Sequence, residues 1–376
     1  MKDELLYFLN KAFDMTKPDA GFQKLLPKLY GPKVDPCPHN LILKKDEHIC
    51  AAVGAYDGLL HLGNASLSYR GIGNVAVDAD CRNRGYMKQA MTQTIQKAVD
   101  DKIDFLVLGG QRQRYQYFGF DNLGMEYRAT ITKVNLSHAY REIPFEPLEI
   151  RDLTENDSAL LEEIYQLHER KVFHSHRERT LFYEILCSWN AQPKVILKKG
   201  GFAGYFINDL QELMLKDPHD FPDFIRTYMQ EKEDDEVEIT IMPWNRDLLS
   251  VVRTICDNID VCENDMFHIL NYKNVLQVLL QHQANQVGLV DGEQYFYIHG
   301  YSKDVKLHIS VHNNTVNVIE FDEADSFIAG FQPIECTHFE AMELILGIYS
   351  QKRMELVPNV RSWFPIPFAI ESADQV

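Results

Sequence analysis

One segment, residues 75–87, constrains the fold of this chain more than any other. An apolar run at residues 75–77 is followed by a turn that contains Arg82, Arg84 and Gly85, after which apolar or small side chains recur at the spacing of one helix face. The pattern predicts a strand that leads through a basic turn into a helix. Such a unit is typical of folds in which helices pack on a mixed or parallel sheet.

The same turn has the features of an anion site. The first N–H groups of a helix lack intrahelical partners, and the helix dipole is positive at that end. Gly85 would let the main chain approach a pyrophosphate closely, and Arg82 and Arg84 add positive charge. The turn has neither the Gly-Lys-Ser/Thr of a Walker loop nor the three glycines of the dinucleotide fingerprint. These residues alone leave two interpretations open, a pyrophosphate site and an ordinary helix start with two solvated arginines.

The periodic patterns divide the chain into three consecutive parts. Residues 1–145 begin with a helical pattern, continue with alternating strands and the segment described above, and include a short buried strand. Residues 146–265 repeat this plan in diverged form. Residues 266–376 combine strands with helices before an extended, proline-broken tail. We predict an α/β chain with mixed sheets and three domains at these boundaries.

Length and charge exclude several classes of protein. The 376 residues include 38 Lys and Arg against 55 Asp and Glu, a net charge of −17, which disfavours a nucleic-acid backbone or an anionic membrane as the main partner. No apolar run approaches the ~18 residues of a membrane span, and the N-terminus is too acidic for a signal peptide. We predict a cytoplasmic protein with no nucleic-acid partner and no stable membrane insertion. The negative charge fits either simple solubility or a cationic substrate.

The cysteines show no metal-binding or redox spacing. There are seven of them, an odd number, and no pair has the two-residue separation of a zinc knuckle or a thioredoxin-type motif. We therefore predict reduced, mostly buried cysteines and no metal ion.

Two motifs carry a resemblance to a known family. The R-x-x-G-x-(G/A) signature of the GNAT acetyltransferases is matched, up to its last position, by Arg82, Asn83, Arg84, Gly85, Tyr86 and Met87. Residues 115–120, Tyr-Gln-Tyr-Phe-Gly-Phe, are similar to a Tyr-x-x-Phe-Gly-(Phe/Tyr) segment found further along in that superfamily. With its three-part length, the whole chain resembles the enhanced-intracellular-survival type of acetyltransferase.

The resemblance implies an architecture and a reaction. It assigns residues 1–145 to a working GNAT domain, 146–265 to a degenerate second GNAT domain and 266–376 to a sterol-carrier-like domain. It implies that acetyl-CoA is the cosubstrate and that an amine receives the acetyl group. The main chain of Val75, Ala76 and Val77 would lie along the pantetheine arm, and the turn at residues 82–87 would hold the pyrophosphate.

The second domain lacks the residues of the first at the corresponding turn. Residues 242–247 read Met-Pro-Trp-Asn-Arg-Asp, without a glycine, and Asp247 would repel a pyrophosphate. One cofactor site per chain follows.

The resemblance also points to two catalytic groups. The general-acid tyrosine of the family corresponds to Tyr115, and the alternative is an aromatic residue that only packs in the core. The base of the family is the C-terminal carboxylate, which here belongs to Val376, with Asp374 two residues earlier. The family end is typically acidic and aromatic, whereas this tail is not, so a water relay is an alternative base.

Three functions are compatible with these residues. The first is an acetyl-CoA-dependent N-acetyltransferase that acts on an amine of a cationic small molecule, aminoglycoside-like or polyamine-like. The second is a carrier of a lipid or sterol in the C-terminal domain, and the third is a protein lysine acetyltransferase. The resemblance also implies a possible homo-oligomer.

Overall fold

The computed structural model describes residues 1–17, 20–142, 144–232, 234–321 and 333–376. Its contacts divide the chain into two compact units that interleave along the sequence. Unit 1 contains Met1–Pro38, Glu126–Cys262 and Ala369–Asp374, and unit 2 contains His39–Met125, Glu263–Phe368 and Gln375–Val376. The three consecutive domains of the sequence analysis divide the chain on another basis, and their boundaries stay a prediction.

Helices and strands alternate through both units. The α-helices are α1 (Lys2–Ala12), α2 (Phe22–Leu25), α3 (Pro27–Tyr30), α4 (Tyr86–Asp100), α5 (Arg112–Tyr115), α6 (Lys133–Ala139), α7 (Ser158–Glu169), α8 (Phe182–Leu186), α9 (Phe221–Lys232), α10 (Arg246–Val252), α11 (Tyr272–Val287) and α12 (His338–Leu346). The strands are β1 (Asn40–Lys45), β2 (His48–Leu62), β3 (Ala65–Val77), β4 (Phe105–Leu108), β5 (Asp121–Leu123), β6 (Glu126–Thr132), β7 (Glu149–Asp152), β8 (Phe173–Ser175), β9 (Lys194–Lys198), β10 (Gly201–Ile207), β11 (Glu212–Leu215), β12 (Glu236–Ile241), β13 (Asn258–Cys262), β14 (Asp265–Ile269), β15 (Gly292–His299), β16 (Val305–His312), β17 (Thr315–Glu320) and β18 (Ile334–Thr337). No described helix is both long enough and apolar enough to cross a membrane.

The sheet that carries the predicted cofactor turn lies in unit 2. Its strands follow the order β1-β2-β3-β4-β14-β5, in which β3 and β4 are parallel and the other neighbours are antiparallel. Helix α4 belongs to the core of this sheet and buries Ala90, Met91, Thr94, Ile95 and Ala98. The helical spacing of apolar residues in the sequence therefore corresponds to a real buried face.

A second sheet of unit 2 contains the strands near the C-terminus. Its order is β17-β16-β15-β18, with β15 and β18 parallel and the remaining pairs antiparallel. The tail that follows α12 is not free, because Trp363, Phe364, Ile366 and Phe368 are buried. Its apolar composition predicts this docking.

Unit 1 contains two smaller sheets, β11-β10-β9-β7 and β12-β6-β13. Their buried residues form two apolar clusters, one centred on Phe206, Phe221 and Phe224 and the other on Phe182, Leu186 and Tyr205. The order β11, α9 and β12 in unit 1 resembles the order β3, α4 and β4 in unit 2. However, β11 and β12 belong to different sheets, whereas β3 and β4 pair directly. The repeat of one domain plan stays a prediction.

The prediction that all cysteines are reduced is wrong for one pair. Cys50 on β2 and Cys81 in the turn before α4 form a disulfide, with Cα atoms 5.5 Å apart. The pair is 31 residues apart in sequence, and only the folded sheet brings the two thiols together, so motif spacing could not reveal it. The other five cysteines are free.

Candidate active site

Strand β3 contains a bulge in the segment that the sequence assigns to the pantetheine arm. On one side of it Ala52 pairs with Ala76, and on the other Gly54 pairs with Gly73, so β3 has one residue more than β2 between these pairs. Asn74 lies within this interval and has a φ of 43°, which bends the strand. A bulge turns main-chain groups away from the regular ladder, where they can bind a ligand.

Side chains hold the bulge in place. The Asn74 side-chain amide donates to Asn40 Oδ1 at 2.9 Å, and the Asn40 amide donates to the Tyr56 hydroxyl at 3.1 Å. A Cβ atom at Gly54 would overlap the Asn74 side chain, so the opposite strand needs a glycine there. The sequence analysis missed the bulge, although glycines at positions 54 and 73 are a signal for one.

Strands β3 and β4 are paired over only part of their length. Their register runs Tyr69 with Phe105, Arg70 with Leu106 and Gly71 with Val107, and no later pair is present in the described chain. Beyond Gly71 the remaining residues of β3, including the bulge, continue without β4 as a neighbour. This leaves an open edge of β3 next to the end of β4.

Val376 lies against this part of β3. A Cβ atom at Gly71 would overlap the methyl groups of Val376, and one at Gly73 would lie 3.2 Å from its carboxyl carbon. The two glycines therefore make room for the residue. Both glycines are in unit 2 with Val376. Gly73 is two residues before Val75, so the carboxyl group of Val376 is close to the part of β3 that is predicted to lie along the pantetheine arm.

The turn before α4 is a helix start without a cap. Gly85 precedes the helix with a left-handed φ of 79°, and no described side chain caps the helix N-terminus. A Cβ atom at Gly85 would meet nothing within 4 Å, so the space beside this α-carbon is open. Arg82 and Arg84 are exposed on the turn, and Asn83 has a φ of 61°. The geometry leaves the orphan donors and two cations accessible to an anion.

Tyr115 ends the short helix α5 and is only 8% exposed. Its ring packs over Gly110, where a Cβ atom would lie 2.5 Å from Tyr115 Cε2. It belongs to the same core cluster against which Val75, Tyr86 and Met87 pack. Burial raises the pKa of Tyr115, and the nearby Arg114 opposes that rise. The phenol is therefore protonated at neutral pH and can donate a proton.

By the order of elements α4 corresponds to α9, but the residues that the sequence pattern compares with the cofactor turn, 242–247, lead into α10. That helix start differs from the start of α4. Helix α10 begins after Asn245, whose side chain accepts from the Leu248 N–H at 3.4 Å and caps the helix. Asp247 adds a negative charge in the first turn. The Leu248 N–H is therefore capped in α10, whereas no described side chain caps the N-terminus of α4. A single cofactor site per chain stays a prediction.

Two groups of side chains in the described residues have ligand atoms close enough for a metal ion. They consist of His168, Glu169 and His174, and of His168, Glu212 and Glu371. In the second group the Arg177 guanidinium already donates to Glu212 at 2.8 Å and to Glu371 at 3.3 Å. That position holds an internal cation, and the prediction of no metal stays a prediction.

A family model matches the first third of the chain. Residues 2–122 match the family model of an acetyltransferase (GNAT) domain. No curated protein sequence matches the chain.

Solved structures resemble the fold of the whole chain. Eis1 from Mycobacterium abscessus superposes with a TM-score of 0.65 at 12% identity, covering 100% of this chain and 97% of that one. A GCN5-related N-acetyltransferase from Anabaena variabilis has a TM-score of 0.63 at 14% identity, with 95% and 90% covered. A probable N-acyltransferase from Enterococcus faecalis has a TM-score of 0.60 at 14% identity, with 85% and 83% covered. At these identities the likeness shows the fold, and the predicted α/β fold class is confirmed.

Proposed function

We propose that this chain, an enzyme whose residues 2–122 form an acetyltransferase (GNAT) domain, transfers the acetyl group of acetyl-CoA to an amine of a cationic small molecule. The observation that carries the proposal is the uncapped N-terminus of α4, with open space at Gly85 and two exposed arginines, preceded in the chain by the bulge in β3. The start of α4 would offer main-chain donors to an anion, and the bulge in β3 would offer one to a thioester carbonyl.

The cosubstrate would lie along β3 and over the start of α4. The pyrophosphate would accept from main-chain N–H groups at residues 82–87 and from Arg82 and Arg84. The pantetheine arm would follow the open edge of β3 at Val75, Ala76 and Val77. A main-chain N–H freed by the bulge would then polarise the thioester carbonyl.

The reaction needs one new bond and two proton transfers. The neutral amine attacks the carbonyl carbon, a C–N bond forms and the C–S bond breaks. Tyr115 gives its proton to the departing thiolate, and burial keeps the phenol protonated until that step. The carboxyl group of Val376 takes the proton that the amine loses, directly or through a water molecule.

The role of Val376 rests on its position and on a free carboxyl group. The residue lies at Gly71 and Gly73 on β3. The intact mass of the native protein tests whether the group is free. Removal of Gln375 and Val376 should then lower kcat and leave the affinity for acetyl-CoA nearly unchanged, and added formate should restore part of the rate.

The net charge of −17 supports a cationic acceptor. A panel of acceptors separates the classes: a polyamine, an aminoglycoside, a lysine peptide and a neutral amine, with release of free thiol as the readout. We expect the polyamine or the aminoglycoside to be turned over fastest. Faster turnover of the lysine peptide would favour a protein acetyltransferase, and no thiol release with any amine would overturn the proposal.

Binding of acetyl-CoA is tested apart from turnover. Gly85→Asp places a negative charge at the start of α4 and should weaken binding of acetyl-CoA in calorimetry by at least about tenfold. Gly63→Asp is the matched control, because Gly63 also has a left-handed φ, of 63°, and nothing within 4 Å of a Cβ position. Equal affinity of the two variants would contradict the proposed pyrophosphate site.

A further inference from the structure

The turn that follows Tyr115 is held by a buried histidine. The Gly119 carbonyl lies 2.9 Å from His338 Nε2. Gly119 ends the turn in a left-handed conformation with a φ of 86°, and His338 is the first residue of α12. The bond joins two segments 219 residues apart in sequence, both in unit 2.

The partners of His338 fix its tautomer. A carbonyl oxygen can only accept, so Nε2 must carry the proton that it shares with Gly119. Nδ1 is then an acceptor, and the Tyr272 hydroxyl lies 2.9 Å from it. The same hydroxyl is 3.1 Å from the His338 carbonyl oxygen. Burial lowers the pKa of His338 to about 4, so the ring is neutral at pH 7 and the arrangement is complete.

A second histidine closes the space around the turn. A Cβ atom at Gly119 would lie 2.7 Å from His268 Cε1, so no larger residue fits. The His268 ring packs edge-on against Phe120, at 5.3 Å between centroids, and against His338, at 4.7 Å. The turn is therefore fixed by a hydrogen bond on its carbonyl and by packing on its α-carbon.

Main-chain hydrogen bonds connect Gly119 to Tyr115. The Gly119 N–H donates to the Gln116 carbonyl at 3.0 Å, and the Phe120 N–H donates to the Tyr115 carbonyl at 3.3 Å. Residues 116–118 between them form a single 3₁₀ turn. A shift of Gly119 would therefore move the backbone of Tyr115.

We propose that Tyr272 and His338 are positioning residues for Tyr115, acting through the Gly119 carbonyl. The hydroxyl of Tyr272 orients the imidazole, the imidazole holds the turn, and the turn sets the direction of the Tyr115 phenol. Neither residue exchanges a proton during the reaction. This inference rests on the proposed role of Tyr115 as the general acid.

The experiment compares substitutions that break the chain of hydrogen bonds at different points. Tyr272→Phe removes the donor to Nδ1 and should lower kcat about tenfold. His338→Leu removes the hydrogen bond to Gly119 and should lower kcat about 100-fold, because a displacement of the Tyr115 phenol by about 1 Å is costly in catalysis. The KM for acetyl-CoA should stay within about twofold, because the anion site is elsewhere. His338→Gln keeps an amide N–H that can reach the Gly119 carbonyl, and should recover most of the rate.

A control and a double substitution separate positioning from general stability. Tyr205→Phe removes another fully buried tyrosine hydroxyl, which donates to Glu212 at 2.6 Å in unit 1, and should leave kcat unchanged. In a Tyr115→Phe background, His338→Leu should cause no further loss of kcat, because nothing remains to be positioned. Thermal unfolding of each variant shows that it is folded.

The outcomes distinguish the inference from the proposed function. If Tyr115→Phe leaves kcat unchanged, Tyr115 is not the acid, and its proposed role and this inference are both refuted, while acetyl transfer itself is judged by thiol release. If Tyr115→Phe lowers kcat while Tyr272→Phe and His338→Leu do not, the proposed function stands and the positioning role is refuted. If His338→Leu lowers kcat equally in the native and the Tyr115→Phe backgrounds, the positioning role is also refuted.

Discussion

Burial distinguishes Tyr115 from a nearby tyrosine at the scale of single residues. Tyr115 is 8% exposed and Tyr117 is 60% exposed, although only one residue separates them. Tyr115→Phe should lower kcat by about 10²–10⁴-fold, as expected for loss of a general acid, with little change in acetyl-CoA binding. Tyr117→Phe is the matched control and should retain the rate.

The pH dependence of the rate follows from the same residue. A general acid must be protonated, and burial raises the pKa of Tyr115 above its usual value of about 10. The decline of the rate that loss of this acid causes should therefore appear only at alkaline pH, as the pH rises through the raised pKa. Tyr115→Phe should abolish this alkaline decline, and a variant that still shows it would contradict the assignment.

The sequence identifies some of the site residues but not the contacts that shape them. Gly85 and Tyr115 lie in local motifs, so short-range patterns are enough to locate them. Asn74 was missed because its conformation depends on Asn40, 34 residues away, and on the missing side chain at Gly54. A bulge is a property of two paired strands, and one strand's pattern does not contain it.

At the scale of elements, the starts of α4 and α10 differ in their capping. Asn245 caps α10, whereas α4 begins at Gly85 without a cap. Asn245→Ala should lower the free energy of unfolding by about 1 kcal/mol, since it leaves a helix donor unpaired. Asn245→Ser should restore most of this loss in urea unfolding. Neither variant should change the affinity for acetyl-CoA, and weaker binding would show that α10 contributes to a cofactor site.

Elements with a strong period are predictable from the sequence, and their ends are less so. The pattern that begins at Met87 corresponds to α4, Tyr86–Asp100, because an apolar face on a sheet dictates the helix. The spacing of Thr154 and Asp157 predicts a capping box, yet α7 begins at Ser158. The Asp157 carboxylate accepts from the Thr154 N–H at 2.9 Å, and the two residues form a turn before the helix.

At the scale of the whole molecule, the sequence does not show which distant segments share a core. Strand β14 lies at the boundary predicted between the second and third domains, but it pairs with β4 and β5 in unit 2. Residues 369–374 likewise belong to unit 1 although they follow the C-terminal sheet. Sheet order depends on long-range pairing, for which the local period contains no information.

A buried group of charges in unit 1 is a second feature that only the fold assembles. Arg177 donates to Glu212 at 2.8 Å and to Asp374 at 2.9 Å, and Lys171 pairs with Glu371. Their positions in the sequence are scattered, so no motif marks them. A buried charge is tolerated when it is paired and hydrogen-bonded, and the group thereby ties the segment Ala369–Asp374 into unit 1.

Lys28 completes this group and makes the stability of the protein depend on pH. Its ammonium nitrogen donates to the Ala373 carbonyl at 2.5 Å, and burial lowers its pKa to about 7, although Asp374 opposes the shift. In the unfolded chain the pKa is about 10.4, so between pH 7 and pH 10 the unfolded state binds more protons at Lys28. The free energy of unfolding should therefore rise with pH across this window, by up to about 1.4 kcal/mol per pH unit from this group. This added stability is lost as the pH falls to 7. Urea unfolding between pH 7 and pH 9.5 should show a smaller dependence of the free energy of unfolding on pH for Lys28→Met than for the native chain. Lys24→Met, at an exposed lysine of α2, is the control and should match the native chain. The same pH dependence in all three proteins would mean that Lys28 stays protonated in the folded state.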